Sequence, residues 1–269
     1  MSERLVGSGE RIHVFEIDID FVKSIAVEAG DAAVKRTVGV AVELKSDESY
    51  VTAIDRDTEV FIRERLQQRY PDYSFQGEEF GRHGSVDQPL WAVDPIDGTT
   101  NMVFGIPFWC VSIGLIVDGR PVLGVLYMPV TGELYWGEFG KGSYRNGDLL
   151  RAKNRQSFQA EDTLGFTSGA IKALDVTDLP GRIRCLGSIA AEVVYTARGA
   201  FCSHCGCFEG ANDLAAALCI AYEAGCVATY INGDQILMTD MVREGKTRGA
   251  FVVAPPETAA LIRNIVKPR

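Results

Sequence analysis

Histidine is scarce in this 269-residue chain, with three residues, and no apolar run approaches the ~18–20 residues that a membrane span requires. A surplus of positive charge is missing as well. Lys and Arg total 27 against 36 Asp and Glu, a formal charge of −9. That balance disfavours nucleic acid or an anionic membrane as the main partner, because both select basic patches. It leaves room for an anionic small molecule held through a cation. The opening Met-Ser-Glu-Arg leads into the acidic stretch 16–20 with no apolar signal core, so a cytoplasmic location is expected. No internal repeat, low-complexity tract or Pro/Ser-rich linker divides the chain. Seven cysteines (Cys110, Cys185, Cys202, Cys205, Cys207, Cys219, Cys226) are an odd number scattered through apolar segments, as free thiols in a reducing compartment would be. What remains is ordinary for a globular protein, 46% hydrophobic and 23% charged. The length allows a single domain, residues 1–269, with approximate halves 1–155 and 156–269 joined near the polar stretch 153–162. Such a chain can bury about 70–75% of its unfolded surface.

Periodicity predicts a helix over 14–36, where Phe15, Ile19, Val22, Ala26, Ala29 and Ala33 recur at three- and four-residue steps. A second is expected at about 57–68, stopping before Tyr70-Pro71. β-prone runs follow at 73–76, 90–93, 108–117, 121–128 and 133–137, punctuated by turns such as Asp118-Gly119, with Asn146-Gly147 just beyond the last. Past 160, helices are expected at 187–198, 212–224 and 257–265, and buried strands at 226–231 and 250–254. A strand meander between helical segments points to layered sheets covered by helices.

Chemistry gathers in four acidic motifs. In the segment from Trp91 to Asn101, an apolar strand delivers Asp94, and Pro95 opposes continuation of that strand. Asp97 reads as the N-cap of a helix whose first turn holds Gly98, Thr99 and Thr100. Two carboxylates around a sharp turn can converge, and the free N–H groups beside them suit a phosphate. In Gly77-Glu78-Glu79, neighbours in an extended chain point apart, so one glutamate can join a given site. Asp213 stands in the first turn of a helix of small residues that can pack tightly on a neighbour. Asp55, closing Val51-Thr52-Ala53-Ile54-Asp55, reads as the N-cap of the second helix. Each motif taken singly also has a plain structural explanation as a turn, a solvated acid or a cap.

In order, VTAID at 51–55, GEE at 77–79, DPIDGTTN at 94–101 and DLAAA at 213–217 resemble the inositol monophosphatase family along nearly the whole chain. The resemblance implies an α/β (α+β) fold, the layered α-β-α-β-α sandwich of the inositol monophosphatase and fructose-1,6-bisphosphatase type. It implies a Mg²⁺-dependent, lithium-sensitive phosphomonoesterase, usually a homodimer. Glu78, Asp94, Asp97, Asp213 and the Ile96 carbonyl are then the expected ligands of two or three Mg²⁺ ions, a hard-oxygen set suited to that metal. By the same resemblance Thr99 contacts the attacking water and Asp55 pairs with Thr99. The base is either that pair or a water on Glu78. Gly98, Thr99 and Thr100 are the implied phosphate contacts, and Gly187, Ser188 and Ile189 contact the organic part of the substrate.

The chain departs from the family pattern at Asn212 (usually Trp), Cys226 (usually Gly) and Ser49 (usually an acid). Gly206 stands where inositol-hydrolysing members place a substrate-binding acid, and Glu209 is its nearest substitute. The expected substrate is a small phosphorylated polyol such as inositol monophosphate. Histidinol phosphate, fructose 1,6-bisphosphate and a 3′-phosphoadenosine nucleotide are the alternatives, with Arg182, Arg184 and Arg198 read either as a second anion patch or as solvated element ends. A non-catalytic binding or scaffold homologue is disfavoured, since every expected metal carboxylate is present. Cys202, His204, Cys205 and Cys207 read as packing side chains rather than a zinc site, because alternate side chains of a strand diverge. His13 and His83 read as surface residues.

Overall fold

The computed structural model describes residues 2–5, 11–14, 17–37, 39, 41–45, 50–85 and 88–269. A hairpin of β1 (Ser2–Leu5) and β2 (Arg11–Val14) precedes α1 (Ile19–Val34). Next, β3 (Val42–Leu44) pairs with β4 (Tyr50–Thr52), which runs straight into α2 (Ala53–Arg69). Then come β5 (Ser74–Gly77), β6 (Arg82–His83), β7 (Leu90–Asp97), the short α3 (Thr99–Val103), β8 (Cys110–Val117), β9 (Arg120–Met128), β10 (Glu133–Glu138), β11 (Gly142–Arg145) and β12 (Asp148–Leu149). The remainder holds β13 (Thr163–Phe166), α4 (Ser168–Ala173), β14 (Leu174–Asp175), β15 (Arg182–Arg184), α5 (Ile189–Ala197), β16 (Ser203–Cys207) and α6 (Ala211–Glu223). It closes with β17 (Val227–Tyr230), α7 (Met238–Glu244), β18 (Ala250–Ala254), α8 (Pro256–Ile265) and β19 (Lys267–Pro268).

Two sheets dominate. The first has the order β12-β11-β10-β9-β8-β7-β5-β6, antiparallel except where β5 joins β7; the second has the order β15-β13-β16-β18-β17. Helices α1 and α2 cover one face of the first sheet through a core that includes Ile25, Ile62, Phe75, Trp91 and Ile113. Its other face carries α6, which packs on α5; α5 meets β16 and β18 of the second sheet, and α6 meets β17. Helices α4 and α8 close the far side over Leu164, Phe166, Val252 and Ile262. The result is the expected α-β-α-β-α sandwich. Burial of each large side chain in these layers contributes about 1.5–3 kcal/mol.

Glycines set how closely the central layers approach. Gly114, Gly124 and Gly137 are register partners across β8, β9 and β10, forming a furrow across three strands. Helix α6 lies in it. A Cβ on Gly114 would come within 2.6 Å of both the Ala215 Cβ and the Ala216 nitrogen, and one on Gly124 would overlap the Ala216 carbonyl. The backbone of α6 therefore rests almost directly on the backbone of the sheet.

Most expected elements form, with instructive differences at their ends. Helix α1 begins at Ile19 because the Asp18 carboxylate caps it, accepting the Phe21 N–H at 3.1 Å. Phe15 and Ser49 lie outside the described residues. Helix α2 starts four residues earlier than expected. Its N-cap is Thr52, and Asp55 is the third helical residue, reaching back in a reciprocal capping box. Strand β7 continues through Pro95 to Asp97 by breaking register with β8 between Asp94 and Asp97, so proline marks a bulge rather than an end. The cap of α3 is accordingly Gly98, in the left-handed region at φ 95°, and not Asp97.

Candidate active site

The bulge in β7 sends two acids to the edge of the large sheet. Asp94 is buried and its Oδ1 accepts the Ile96 N–H at 2.9 Å, which fixes the turn over Pro95. Asp97 is also buried, and its Oδ2 accepts the Ser188 hydroxyl at 2.5 Å and the Ala190 N–H at 2.8 Å. Behind it the Cys110 thiol lies 3.7 Å away, and burial pushes that thiol well up, so it faces Asp97 as S–H and not as thiolate. The first turn of α5 thus holds an acid from the opposite layer.

Helix α2 supplies a second group. Asp55 is fully buried; its Oδ2 accepts from the Thr52 N–H at 2.8 Å and the Thr52 hydroxyl at 2.6 Å. Its other oxygen accepts the Thr99 hydroxyl at 2.8 Å, and that hydroxyl also lies 3.0 Å from the Ile96 carbonyl. One turn further on, buried Glu59 accepts the N–H groups of Glu79 (2.7 Å) and Phe80 (3.1 Å). Glycine at 77 is required there, since a Cβ would overlap the Glu59 carboxylate. Nothing in the sequence reading assigned Glu59 a role, although its i,i+4 spacing from Asp55 puts it on the same helix face.

Glu78 and Glu79 do not separate as an extended chain would require. Beyond the end of β5 the chain bends, and the Lys45 ammonium bridges both, at 2.7 Å to Glu78 and 2.6 Å to Glu79. Lys45 is a further site residue that the sequence reading left without a role. Burial alone would lower its pKa, but the two carboxylates raise it instead. Glu78 also makes a side-chain hydrogen bond with Asp94.

The acids feel one another. Burial raises Asp94 well above the usual carboxylate range, reinforced by Glu78, Asp97 and Asp213. Burial raises Asp97 to about 6 against the hydrogen bonds from Ser188 and Ala190. Asp213, in the first turn of α6, reaches about 6 through burial and the charge of Asp97, opposed by the Gly210 N–H that its Oδ2 accepts at 2.7 Å. Glu78 is raised by burial and by Asp213, with Lys45 pulling the other way. Glu78, Asp94, Asp97 and Asp213 therefore share one local field. Among the described residues, no three His, Cys, Asp or Glu side chains yet encircle a single point as the ligands of an ion would. Lys45 engages one oxygen of Glu78, and the Gly210 amide one oxygen of Asp213.

The sequence profile of the inositol monophosphatase family matches residues 12–266. A fructose-1,6-bisphosphatase/inositol-1-monophosphatase of Aquifex aeolicus is 31% identical over 245 residues, covering 86% of this chain and 92% of that protein. The chain belongs to the inositol monophosphatase family. It is a phosphatase of that family. Nus factor SuhB of Pasteurella multocida is 32% identical over 239 residues, covering 84% of this chain and 85% of that protein. Among solved structures, an IMPase of Thermotoga maritima superposes with a TM-score of 0.81 at 27% identity, covering 91% of this chain and 95% of that one.

Against the inositol monophosphatase pattern, the departures acquire physical content. Gly206 pairs in register with Phe251, and any Cβ at 206 would run into that ring, so no acid can occupy the position without displacing it. Glu209 sits nearby on a turn where Phe208 takes φ 64°. Its carboxyl meets the Cys207 N–H and the Thr167 hydroxyl, and burial together with Asp213 and Asp97 pushes it up to about 8. Asn212 donates to Asp213 at 2.8 Å. Of the arginines, Arg182 is bound to Glu161 at 2.8 and 2.5 Å and Arg198 to Glu133 at 2.7 Å, while Arg184 donates to the Ile183 carbonyl at 3.0 Å. On β16, Cys205 enters the far core while His204 faces α5, so the Cys/His run is split between faces. His83 is exposed, and the His13 side chain lies outside what is described.

Proposed function

We propose that this chain is a Mg²⁺-dependent phosphomonoesterase acting on a small phosphorylated polyol such as inositol monophosphate. The observation that carries the reading is the shared field of Glu78, Asp94, Asp97 and Asp213 beside the Asp55–Thr99 hydrogen bond. The donor chemistry fits a hard divalent cation: carboxylates and the Ile96 carbonyl, with the Cys110 sulfur beside Asp97 kept as a neutral thiol. Glu78, Asp94, Asp97, Asp213 and Ile96 would hold two or three such ions. When bound, Mg²⁺ supplies an acidified water and neutralises charge on the phosphate and the leaving oxygen.

The chain's own residues do the rest by positioning. The Thr99 hydroxyl donates to Asp55 and accepts a hydrogen bond from the attacking water. As the water's proton passes to the Thr99 oxygen, the Thr99 proton passes to Asp55, the proton sink, while solvent supplies the proton that the leaving oxygen takes up. The 2.8 Å Thr99–Asp55 bond supports this choice of base, and the Lys45 contact makes Glu78 the weaker candidate. N–H groups of Gly98, Thr99 and Thr100 hold phosphate oxygens at the first turn of α3. Gly187, Ser188, Ile189 and Glu209 border the organic part of the substrate. The reading also includes a cytoplasmic homodimer inhibited by Li⁺.

A panel of inositol monophosphate, histidinol phosphate, fructose 1,6-bisphosphate and 3′-phosphoadenosine 5′-phosphate, assayed for released phosphate, tests the assignment. Inositol monophosphate is expected to turn over with Mg²⁺, to stop with chelator and to be inhibited by millimolar Li⁺. Turnover of another panel member alone moves the substrate; no turnover of any of them overturns the assignment to this class of substrates.

A further inference from the structure

Two buried groups play no part in that chemistry. Glu192 on α5 and His204 on β16 are 1% and 0% exposed, and the Glu192 Oε2 lies 3.2 Å from the His204 Nδ1. Gly165 on β13 makes space for them, since a Cβ there would come within 2.9 Å of that nitrogen and 3.1 Å of that oxygen. The two approach without hydrogen-bond alignment, and among the described residues neither Oε2 nor either imidazole nitrogen has another hydrogen-bond partner. Well-packed apolar side chains would stabilise the core at least as well. What they could not provide is an acceptor. The Glu192 Oε1 accepts the Leu186 N–H at 2.8 Å and the Gly187 N–H at 3.1 Å, folding the segment that enters α5 back over its own first turn. The Leu186 carbonyl in turn accepts from the Asn101 side-chain amide on α3 at 2.6 Å. This segment delivers the Ser188 hydroxyl and the Ala190 N–H to Asp97.

We propose that Glu192 and His204 form a buried positioning pair that fixes the 186–190 segment and, through it, the direction of the Asp97 carboxylate. Neither residue touches substrate. Packed 3.2 Å from one oxygen, the imidazole fixes the place of the carboxylate by contact, so that the other oxygen keeps both loop amides. Glu192 is thus an anchor shared by the second sheet and the acidic cluster of the first. The proposal rests on the reading of Asp97 as a Mg²⁺ ligand only for its consequence, not for the anchoring itself.

The test uses the full-length chain with His204→Leu, Glu192→Gln and the double variant. Two readouts are taken: amide exchange at Leu186, Gly187 and Ala190 in metal-free protein, and Mg²⁺ affinity by calorimetry. His204→Leu strands the carboxylate, so exchange at those three amides should accelerate at least about tenfold while α8 is unchanged, and Mg²⁺ should bind about tenfold more weakly. Glu192→Gln keeps the oxygen acceptor and removes the charge, and should behave like wild type. Added to His204→Leu, it should restore exchange and affinity to within about threefold of wild type, a rescue that general loosening of the core would not give. Wild-type exchange in His204→Leu, or no rescue in the double variant, overturns the proposal. Should His204→Leu fail to fold, Glu192→Ala against Glu192→Gln decides on the same amides, and wild-type exchange in Glu192→Ala overturns it. Absence of Mg²⁺ binding by wild type counts against the site reading, while amide exchange still decides the pair.

Discussion

Asp94 and Asp213 differ from ordinary surface acids in how little the fold gains from their charge. Both are raised by burial and by neighbouring carboxylates, so neutralising either relieves repulsion instead of breaking a salt bridge. Asp94→Asn and Asp213→Asn should therefore fold normally, with an unchanged or slightly higher melting temperature in the absence of metal. Turnover at saturating Mg²⁺ should fall by at least about 10²-fold, the order seen when one preorganised electrostatic group is lost. A folded variant with wild-type turnover removes that residue from the site. At this scale the sequence carried the carboxylates and Thr99, because their spacing within short motifs is itself the signal. It did not carry Lys45, Glu59 or Glu192. Each acts through a contact distant in sequence or through a backbone amide, and neither leaves a local pattern.

Elements, too, were partly legible. Strand β18 and helix α6 fall within a residue of their periodic apolar runs, because burial on both sides demands continuous apolar sequence. The errors lie where a cap or bulge outweighs periodicity: Thr52 ahead of α2, and the register break that carries β7 past Pro95. The furrow beneath α6 was invisible for a different reason. Gly114, Gly124 and Gly137 become neighbours only after three strands have paired. Gly124→Ala should cost about 1–3 kcal/mol, the usual range for overpacking, because the added methyl meets backbone rather than a movable side chain. Urea denaturation reads this as a lower midpoint at unchanged slope. A neutral result would mean that α6 is not seated as closely as described.

For the whole molecule, the raised acids link stability to pH and to metal. Asp97 and Asp213 move from an ordinary 3.8 to about 6, and Glu209 from 4.5 to about 8. Between these limits the folded protein binds more protons than the unfolded chain, so stability is greatest below the unfolded values and is lost as pH rises through the folded ones. Metal-free protein should show a melting temperature that falls from pH 5 to pH 8. On the proposed reading Mg²⁺ binds the folded state alone, so saturating Mg²⁺ should add to stability. Its increment should be larger at pH 8, where the acids are ionised, than at pH 5. Scanning fluorimetry with chelator and with Mg²⁺ checks both slopes; a flat metal-free curve would show that the acids do not share a field. The layered architecture matters here, because Asp94 and Asp97 belong to one sheet while Asp213 and Glu209 approach from the helix and turn beyond β16. Ionisation therefore strains the contact between layers, not a single loop.

The furrow has one more consequence. Because α6 meets the sheet backbone to backbone, its height above β8 and β9 is set by peptide geometry and not by the volumes of side chains. Drift in core composition, methyl by methyl, then leaves the spacing between Asp213 and the acids of β7 untouched. The distance across the acidic cluster is thus set by three glycines on three neighbouring strands, far from the acids themselves.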